Sequence, residues 1–204
     1  MTNVTYDATK SGSTIKSILL KILGLYVLLT LILGLLYPLG TTYIASITFP
    51  HKATGSLILD ADNKVRGSYL LGQDFSSDTR YFMSRPSYAN YEGAASGGFN
   101  LGPSSLKLYD LVTTRSDLIV DKYKVSHSIP TDMLTASASG LDRHISLKSA
   151  YMQAMYIAKI NDLDEKTIFS LIKKNIDKQF MHSIDIVNVV SLNKDLYDIL
   201  QKKL

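Results

Sequence analysis

The 204-residue chain contains no cysteine. That excludes disulfides, thiolate metal sites and a cysteine nucleophile, so any domain here holds together by its core alone. It also lacks a charged stripe. Setting Lys10, Lys16, Lys21 and Asp7 apart from 22 basic and 18 acidic residues leaves nineteen and seventeen for the rest of the chain. So mixed a surface offers no phosphate-binding face, and no nucleic acid is expected as a partner. His51, His127, His144 and His182 show no ligand spacing such as H-E-x-x-H, so no metal is expected. P-loop and G-x-G-x-x-G patterns are missing, and we find no internal repeat. Ser-x-x-Lys recurs at Ser13/Lys16, Ser104/Lys107 and Ser191/Lys194, but its usual Ser-Asp-Asn and Lys-Thr-Gly companions are absent.

Charge is also missing from one particular stretch. Ile22 to Leu39 holds eighteen residues without a charged side chain. At about 1.5 Å per residue, roughly 20 residues cross the hydrocarbon of a bilayer. A membrane helix is therefore expected over 18–40, after an arm at 1–17 and before a domain at 41–204. Three lysines precede the span, and no Lys or Arg follows it until Lys52. The positive-inside rule then places the arm in the cytoplasm and the domain outside. The apolar run is long for a signal peptide, and no clean small-x-small cleavage site follows it. Gly24, Val27, Leu31, Gly34 and Pro38 fall near one helical face, where small residues let a neighbouring helix approach. With Tyr37 at the outer end, Gly24, Gly34 and Pro38 are the candidate subunit-interface positions.

The domain of about 165 residues is long enough for a proper core. Tyr43, Ile44 and Ile47 keep helical spacing, so the membrane helix is expected to continue until Pro50 ends it. Residues 56–60 and 65–71 flank the turn pair Asp62-Asn63 and predict a β-hairpin. Tyr81 to Met83 reads as another short strand. Arg85 to Ser105 is a long polar loop, rich in Gly, Ser, Asn and Tyr. Leu106 to Lys122 predicts a helix with an inward stripe of Leu108, Leu111, Val112, Leu118 and Ile119. Arg115 lies in that stripe and is expected to snorkel or meet a carboxylate. Thr131 to His144 is a second polar loop. Ser146 is a good N-cap for a helix that buries Leu147, Ala150, Tyr151, Ala154, Ile157 and Ala158, with Gln153 at its flank. Asp162 or Asp164 caps a further helix. Ile186 to Val190 is strand-like, and Asn193 opens a last helix with Leu196, Ile199 and Leu200 inward. The fold class is α/β in the α+β sense: one N-terminal transmembrane helix, then a mixed domain with a small sheet and several helices.

Ser139, Asp142 and His144 lie close together in the second loop, which keeps a membrane-anchored extracytoplasmic hydrolase, or a ligand-binding domain, as an alternative. Triad members normally come from separate parts of a chain, however, and G-x-S-x-G is absent. The residues alone describe an anchored outer domain with two polar loops, closer to an accessory subunit than to an enzyme.

Several ordered motifs then converge. They are Gly34-Leu-Leu-Tyr37-Pro38, Gly55-Ser56-Leu57-Ile58, and Gly67-Ser68 with Gly72-Gln73-x-Phe75. Arg85-Pro86-Ser87 and Ala95-Ser96-Gly97-Gly98-x-Asn100-Leu101-Gly102 follow in the first loop. The second carries Ser137-x-Ser139-Gly140-Leu141-Asp142-x-His144, with Gln153 downstream. Together they resemble the C subunit of the potassium-transporting P-type ATPase, the Kdp system. Phe99 and Arg143 depart from that pattern. The resemblance implies a non-catalytic subunit beside a channel-like potassium-binding subunit and a P-type ATPase subunit. It implies a role in assembly, or as a catalytic chaperone that raises nucleotide affinity, with Gln153 as the nucleotide-linked residue. No cofactor is expected to bind tightly, and ATP enters through the complex. Nucleotide is cytoplasmic whereas the lysines put Gln153 outside, so an indirect effect through the channel-like subunit agrees better with the charges.

With no native thiol, orientation is directly testable. Ser104→Cys in intact cells is expected to react with a membrane-impermeant maleimide. Labelling only after the cells are opened would reverse the topology.

Overall fold

The anchor sequence carries its own irregularity, Pro38, which has no N–H to give and whose ring crowds the carbonyl four residues back. In the computed structural model, which describes residues 8–59, 62–125, 128–177 and 185–203, the chain answers with a widened turn. Helix α1 (Ala8–Leu31) passes into a π-turn (Ile32–Leu36) and on into α2 (Tyr37–Thr48). The Tyr37 N–H reaches back five residues to the Ile32 carbonyl. One extra residue in the turn offsets the side-chain rows below and above it by roughly a quarter turn. Pro38 therefore does not continue the row of Gly24, Val27 and Leu31. Phe49 leaves helical geometry at φ −138°, and Pro50 opens a single turn, α3 (Pro50–Ala53). The helix over Ile15–Thr48 is long and apolar enough to cross a membrane. Of the expected arm, residues 1–7 lie outside the described residues.

Contacts divide the chain into two units, Met1–Gly55 and Ser56–Leu204. The second unit begins with a hairpin, β1 (Leu57–Leu59) antiparallel to β2 (Val65–Ser68), irregular in register between Ile58 and Leu59. The first loop follows, then α4 (Leu106–Tyr123), capped by the Ser105 hydroxyl, which accepts from the Leu108 N–H. A single turn α5 (Thr131–Leu134) and the second loop lead to β3 (His144–Ser146). Then come α6 (Leu147–Ile160), α7 (Glu165–Lys174), β4 (Ile176–Asp177), β5 (Ile186–Asn188) and α8 (Val189–Lys203). Strand β5 lies centrally between β3 and β4, antiparallel to both. The core joins Phe82, Ile145, Ile157, Ile168, Ile172, Val187, Leu192 and Leu196, so three helices close over the small sheet. Ala150, Ala154 and Ala158 give α6 a low-relief face on which that packing is close.

The structure corrects several expectations. Tyr81–Met83 forms no strand and pairs with none among the described residues; side-chain amides occupy the backbone of Phe82 and Met83. Leu118 points outward, and no residue of α4 is fully buried, since this helix rests on the domain by one side only. Gln153 is at the centre of its helix's buried face, not at the flank. Asp164 stands at the N-cap of α7 without a side-chain cap bond. Helix α8 starts at Val189, four residues before Asn193, because the Asn188 side chain accepts from the N–H groups of Val190 and Ser191. Strands β3 and β4 are additional to the hairpin and to the strand anticipated at Ile186.

Candidate functional site

The segment entering the first loop has to satisfy its backbone without a neighbouring strand. Three side-chain amides do this. Asn161 donates to the Arg80 carbonyl at 2.9 Å. Asn193, in α8, accepts from the Phe82 N–H and donates to the Phe82 carbonyl, both at 2.9 Å. Gln153, in α6, does the same for Met83, accepting at 2.7 Å and donating at 3.2 Å. The Tyr123 hydroxyl also donates to Gln153 Oε1 at 3.1 Å, and the amide's second N–H points at Met133 Sδ, 3.8 Å away. Both acceptor positions and both donors of the Gln153 amide are thus engaged, and the side chain is fully buried. Burial also pushes the Tyr123 hydroxyl pKa well up, so it stays a donor.

Beyond this ladder the two polar loops cross. Arg85 binds Asp142 at 3.0 Å and reaches the Ala136 carbonyl. The Pro86 carbonyl accepts from Ser137 N–H at 3.0 Å, and Gly97 N–H donates to the Ser139 carbonyl at 2.9 Å. The Ser87 hydroxyl donates to the Gly140 carbonyl at 2.7 Å, and the Ser96 hydroxyl to the Ser139 carbonyl at 3.1 Å. Tyr91 turns its hydroxyl onto the Arg85 carbonyl at 2.6 Å, and burial pushes its pKa up to about 12. Backbones approach too closely for side chains at two points. Gly140 has φ +71°, and a Cβ there would lie 2.8 Å from the Gly97 carbonyl oxygen. A Cβ on Gly98 would meet the Ala138 carbonyl oxygen at 2.8 Å. Arg85, Pro86, Ser87, Ser96, Gly97, Ser137, Ser139, Gly140, Asp142 and His144 therefore come together in one platform. Asn100 stands apart on the exposed rim with φ 50°. Gly24, Gly34, Tyr37 and Pro38 belong to the other unit.

Under the platform, Asp142 accepts from the His144 N–H at 3.0 Å as well as from Arg85. Burial works to raise its carboxyl pKa, but the bonds from His144 and Arg85 prevail and hold it at about 2. The imidazole Nε2 lies 3.1 Å from Asp177 and 3.2 Å from Arg143 Nε. It can donate to the first or accept from the second, one role at a time. Asp132 accepts from Ser146 N–H, Ser146 hydroxyl and Ser149 hydroxyl, tying α5 to the start of α6. The helix cap at Ser146 is present as expected, its hydroxyl accepting from the Ser149 N–H.

The geometry does not form a hydrolytic relay. The Ser139 hydroxyl meets Ser137 and accepts from Leu141 N–H, while His144 is engaged by Asp142, Asp177 and Arg143. Among the described residues no group of three or more His, Asp or Glu could hold a metal; His127 and His182 lie outside them. Among the described residues Arg115 meets no carboxylate. It donates to the Leu134 carbonyl at 2.8 Å and stacks over Phe99, whose ring edge-packs with Tyr88. Sequence reasoning missed Asn161, Asn193, Asp132 and Tyr123. For the two asparagines, the available signal was an amide set inside an otherwise apolar helical stripe.

Residues 19–198 match the protein family described as K+-transporting ATPase, c chain. The chain is 41% identical over 175 residues to a potassium-transporting ATPase KdpC subunit of Caldanaerobacter subterraneus subsp. tengcongensis, covering 84% of this chain and 90% of that protein. It is 42% identical over 184 residues to the similarly described subunit of Polynucleobacter asymbioticus, covering 87% and 96%. It is 40% identical over 168 residues to that of Methanosphaerula palustris, covering 81% and 89%.

Two outcomes are expected. Gln153→Leu leaves a buried N–H and C=O of Met83 unpaired, and is expected to lower stability by about 2–4 kcal/mol in urea unfolding of the full chain. The Asp142 carboxyl sits below its ordinary 3.8, so its stabilisation is complete above about pH 4 and is lost as the pH falls through about 2. Asp142→Asn should therefore flatten the acid limb of a pH-stability curve, by on the order of 2 kcal/mol before solvent screening.

Proposed function

The chain belongs to the c-chain family of the K+-transporting ATPase, and from that membership we propose how its two units serve the complex. It is an accessory subunit of the Kdp potassium-transporting ATPase, with one candidate transmembrane helix. In our reading the helix spans the cell membrane with its N-terminus in the cytoplasm. The Ser56–Leu204 unit stands outside, where it docks on the channel-like potassium-binding subunit through the two-loop platform. The P-type subunit carries the ATP chemistry, and this chain supports assembly and nucleotide affinity from a distance.

One observation carries this reading most. The crossed loops are fixed by backbone bonds, and beside exposed Glu92, and Lys107 and Asp110 at the start of α4, their outer surface presents large exposed apolar and aromatic groups. Tyr88 is 55% exposed, and at the adjoining start of α4 Leu106 is 81% and Tyr109 69% exposed. A surface fixed by backbone bonds, with exposed aromatic and aliphatic anchors, suits protein recognition. Gln153 supports the indirect route for nucleotide. Its amide is consumed by Met83, Tyr123 and Met133, so its influence passes through the loop that it holds.

The test uses the assembled complex. Ala95→Arg and Ala138→Arg place a charge on the exposed platform without touching its internal bonds. Both are expected to reduce co-purification with the larger subunits and potassium-stimulated ATPase several-fold, and to shift KM for ATP in the same direction as Gln153→Ala. Normal assembly and turnover in both variants would sink the platform reading. A KM change confined to Gln153→Ala, with unaltered domain stability, would instead favour direct nucleotide contact.

A further inference from the structure

A recess lies away from the platform. The β1–β2 hairpin, the segment 73–81 and one side of α8 enclose a cleft of about 790 Å³. Small-molecule sites fall in a range of about 300–1,000 Å³. Its floor is Val190, buried at the start of α8, and Asn193, whose amide is committed to Phe82. Its walls include Ile58, Phe75, Tyr81 and Tyr197. The rings of Phe75 and Tyr81 stand 6.2 Å apart, tilted by 44°.

Two features make this more than a gap between packed elements. Gln73 is the first. Its backbone is pinned, because the Ser84 hydroxyl donates to its carbonyl at 3.0 Å and the preceding Gly72 N–H donates to the Leu141 carbonyl at 2.8 Å. The side chain lies against β2 in room that exists because Gly67 has no Cβ; one there would run into the Gln73 amide nitrogen. Among the described residues neither amide atom of Gln73 has a hydrogen-bond partner. An amide left unpaired between apolar walls costs free energy, and a polar group so placed fixes the orientation of a bound molecule. Charge is the second feature. Arg66, Lys194 and Lys202 line the cleft against one carboxylate, Asp198, and Lys194 already holds that carboxylate.

We propose that this cleft binds a small organic anion with an apolar body. The body lies between Ile58, Phe75, Tyr81 and Tyr197, where aromatic side chains offer large contact area. The anionic head meets Arg66 and Lys202, and Gln73 hydrogen-bonds a polar atom within the cleft. A nucleotide is a poor match. Its polyphosphate carries more charge than these cations answer, and its ribose would face apolar walls. None of the lining residues belongs to the platform, so the site does not rest on the docking proposed for that surface.

Fluoronaphthoate and its neutral analogue fluoronaphthamide are the probes. They are read by fluorine NMR relaxation on the full chain in phosphatidylcholine nanodiscs, against empty discs. One saturable site per chain is expected, with the anion bound about fivefold more tightly than the amide at low salt and the gap closing at high salt. Lys202→Glu is expected to remove that preference, and Gln73→Leu to weaken both probes several-fold. Where Gln73→Leu lowers the thermal midpoint, Tyr197→Ala takes its place with the same expectation. Equal binding of the two probes, or affinities that the substitutions leave unchanged, overturns the proposal. So does loss of binding in the assembled complex, which assigns the cleft to a partner subunit, and so does displacement of the probe by an equal concentration of ATP. Two competitors separate the sources of the anion. Displacement by phenylpropanoate upholds the site for a soluble anion, and displacement only by phosphatidylglycerol built into the discs upholds it for a bilayer lipid. Displacement by neither overturns it.

Discussion

The domain depends on two carboxamides. The segment at 80–83 leads through a turn and a bend to Phe82, which is fully buried, yet among the described residues it has no strand beside it. Buried backbone groups without partners would each cost on the order of 1–3 kcal/mol. Asn193 and Gln153 provide those partners from two different helices, each amide matching one residue's N–H and C=O as a neighbouring strand would. The arrangement fixes more than the segment. It sets α6 and α8 on either side of it and delivers Arg85 to Asp142 at the foot of the platform. The platform's own bonds, between Pro86, Gly97, Ser137 and Ser139, form only if Met83 ends where the ladder leaves it.

The same geometry explains how one residue can matter to a distant event without touching it. A glutamine with every hydrogen-bonding position engaged has no capacity left for a ligand. Replacing it disturbs Met83 first and the loop beyond it next. In the docking proposed above, a displaced loop would change how the partner subunits are held, and so their apparent affinities. This link runs from a buried side chain, through loop position, to the behaviour of a neighbouring polypeptide.

What could be read from the sequence follows the range of each interaction. The apolar span, the hairpin around Asp62-Asn63, the Ser146 cap and the two Gly/Ser-rich loops are encoded by residues near one another, and they were legible. Tyr81–Met83 was not, because a short apolar run has the same pattern whether strands or side chains pair its backbone. The start of α8 was misplaced because Val187, Val189 and Val190 favour a strand, while the Asn188 cap turns the chain into helix after Asn188. Strands of two and three residues, β3 and β4, are too short to show periodicity. Gln153 was placed at a flank on polarity alone; its partners are 70 and 30 residues away along the chain. In the membrane helix the glycine row was visible, but the extra residue in the turn ahead of Pro38 was not.

Loops of this length ordinarily lose conformational freedom when a partner immobilises them, and that loss subtracts from binding. Here the crossing of the two loops is already fixed at Gly98 and Gly140, where a Cβ would meet a backbone carbonyl oxygen at 2.8 Å. The ordering entropy is spent during folding of the domain, not at the moment of docking. In the docking proposed above, a contact area of modest size would then suffice, with little rearrangement between the free and the bound shapes.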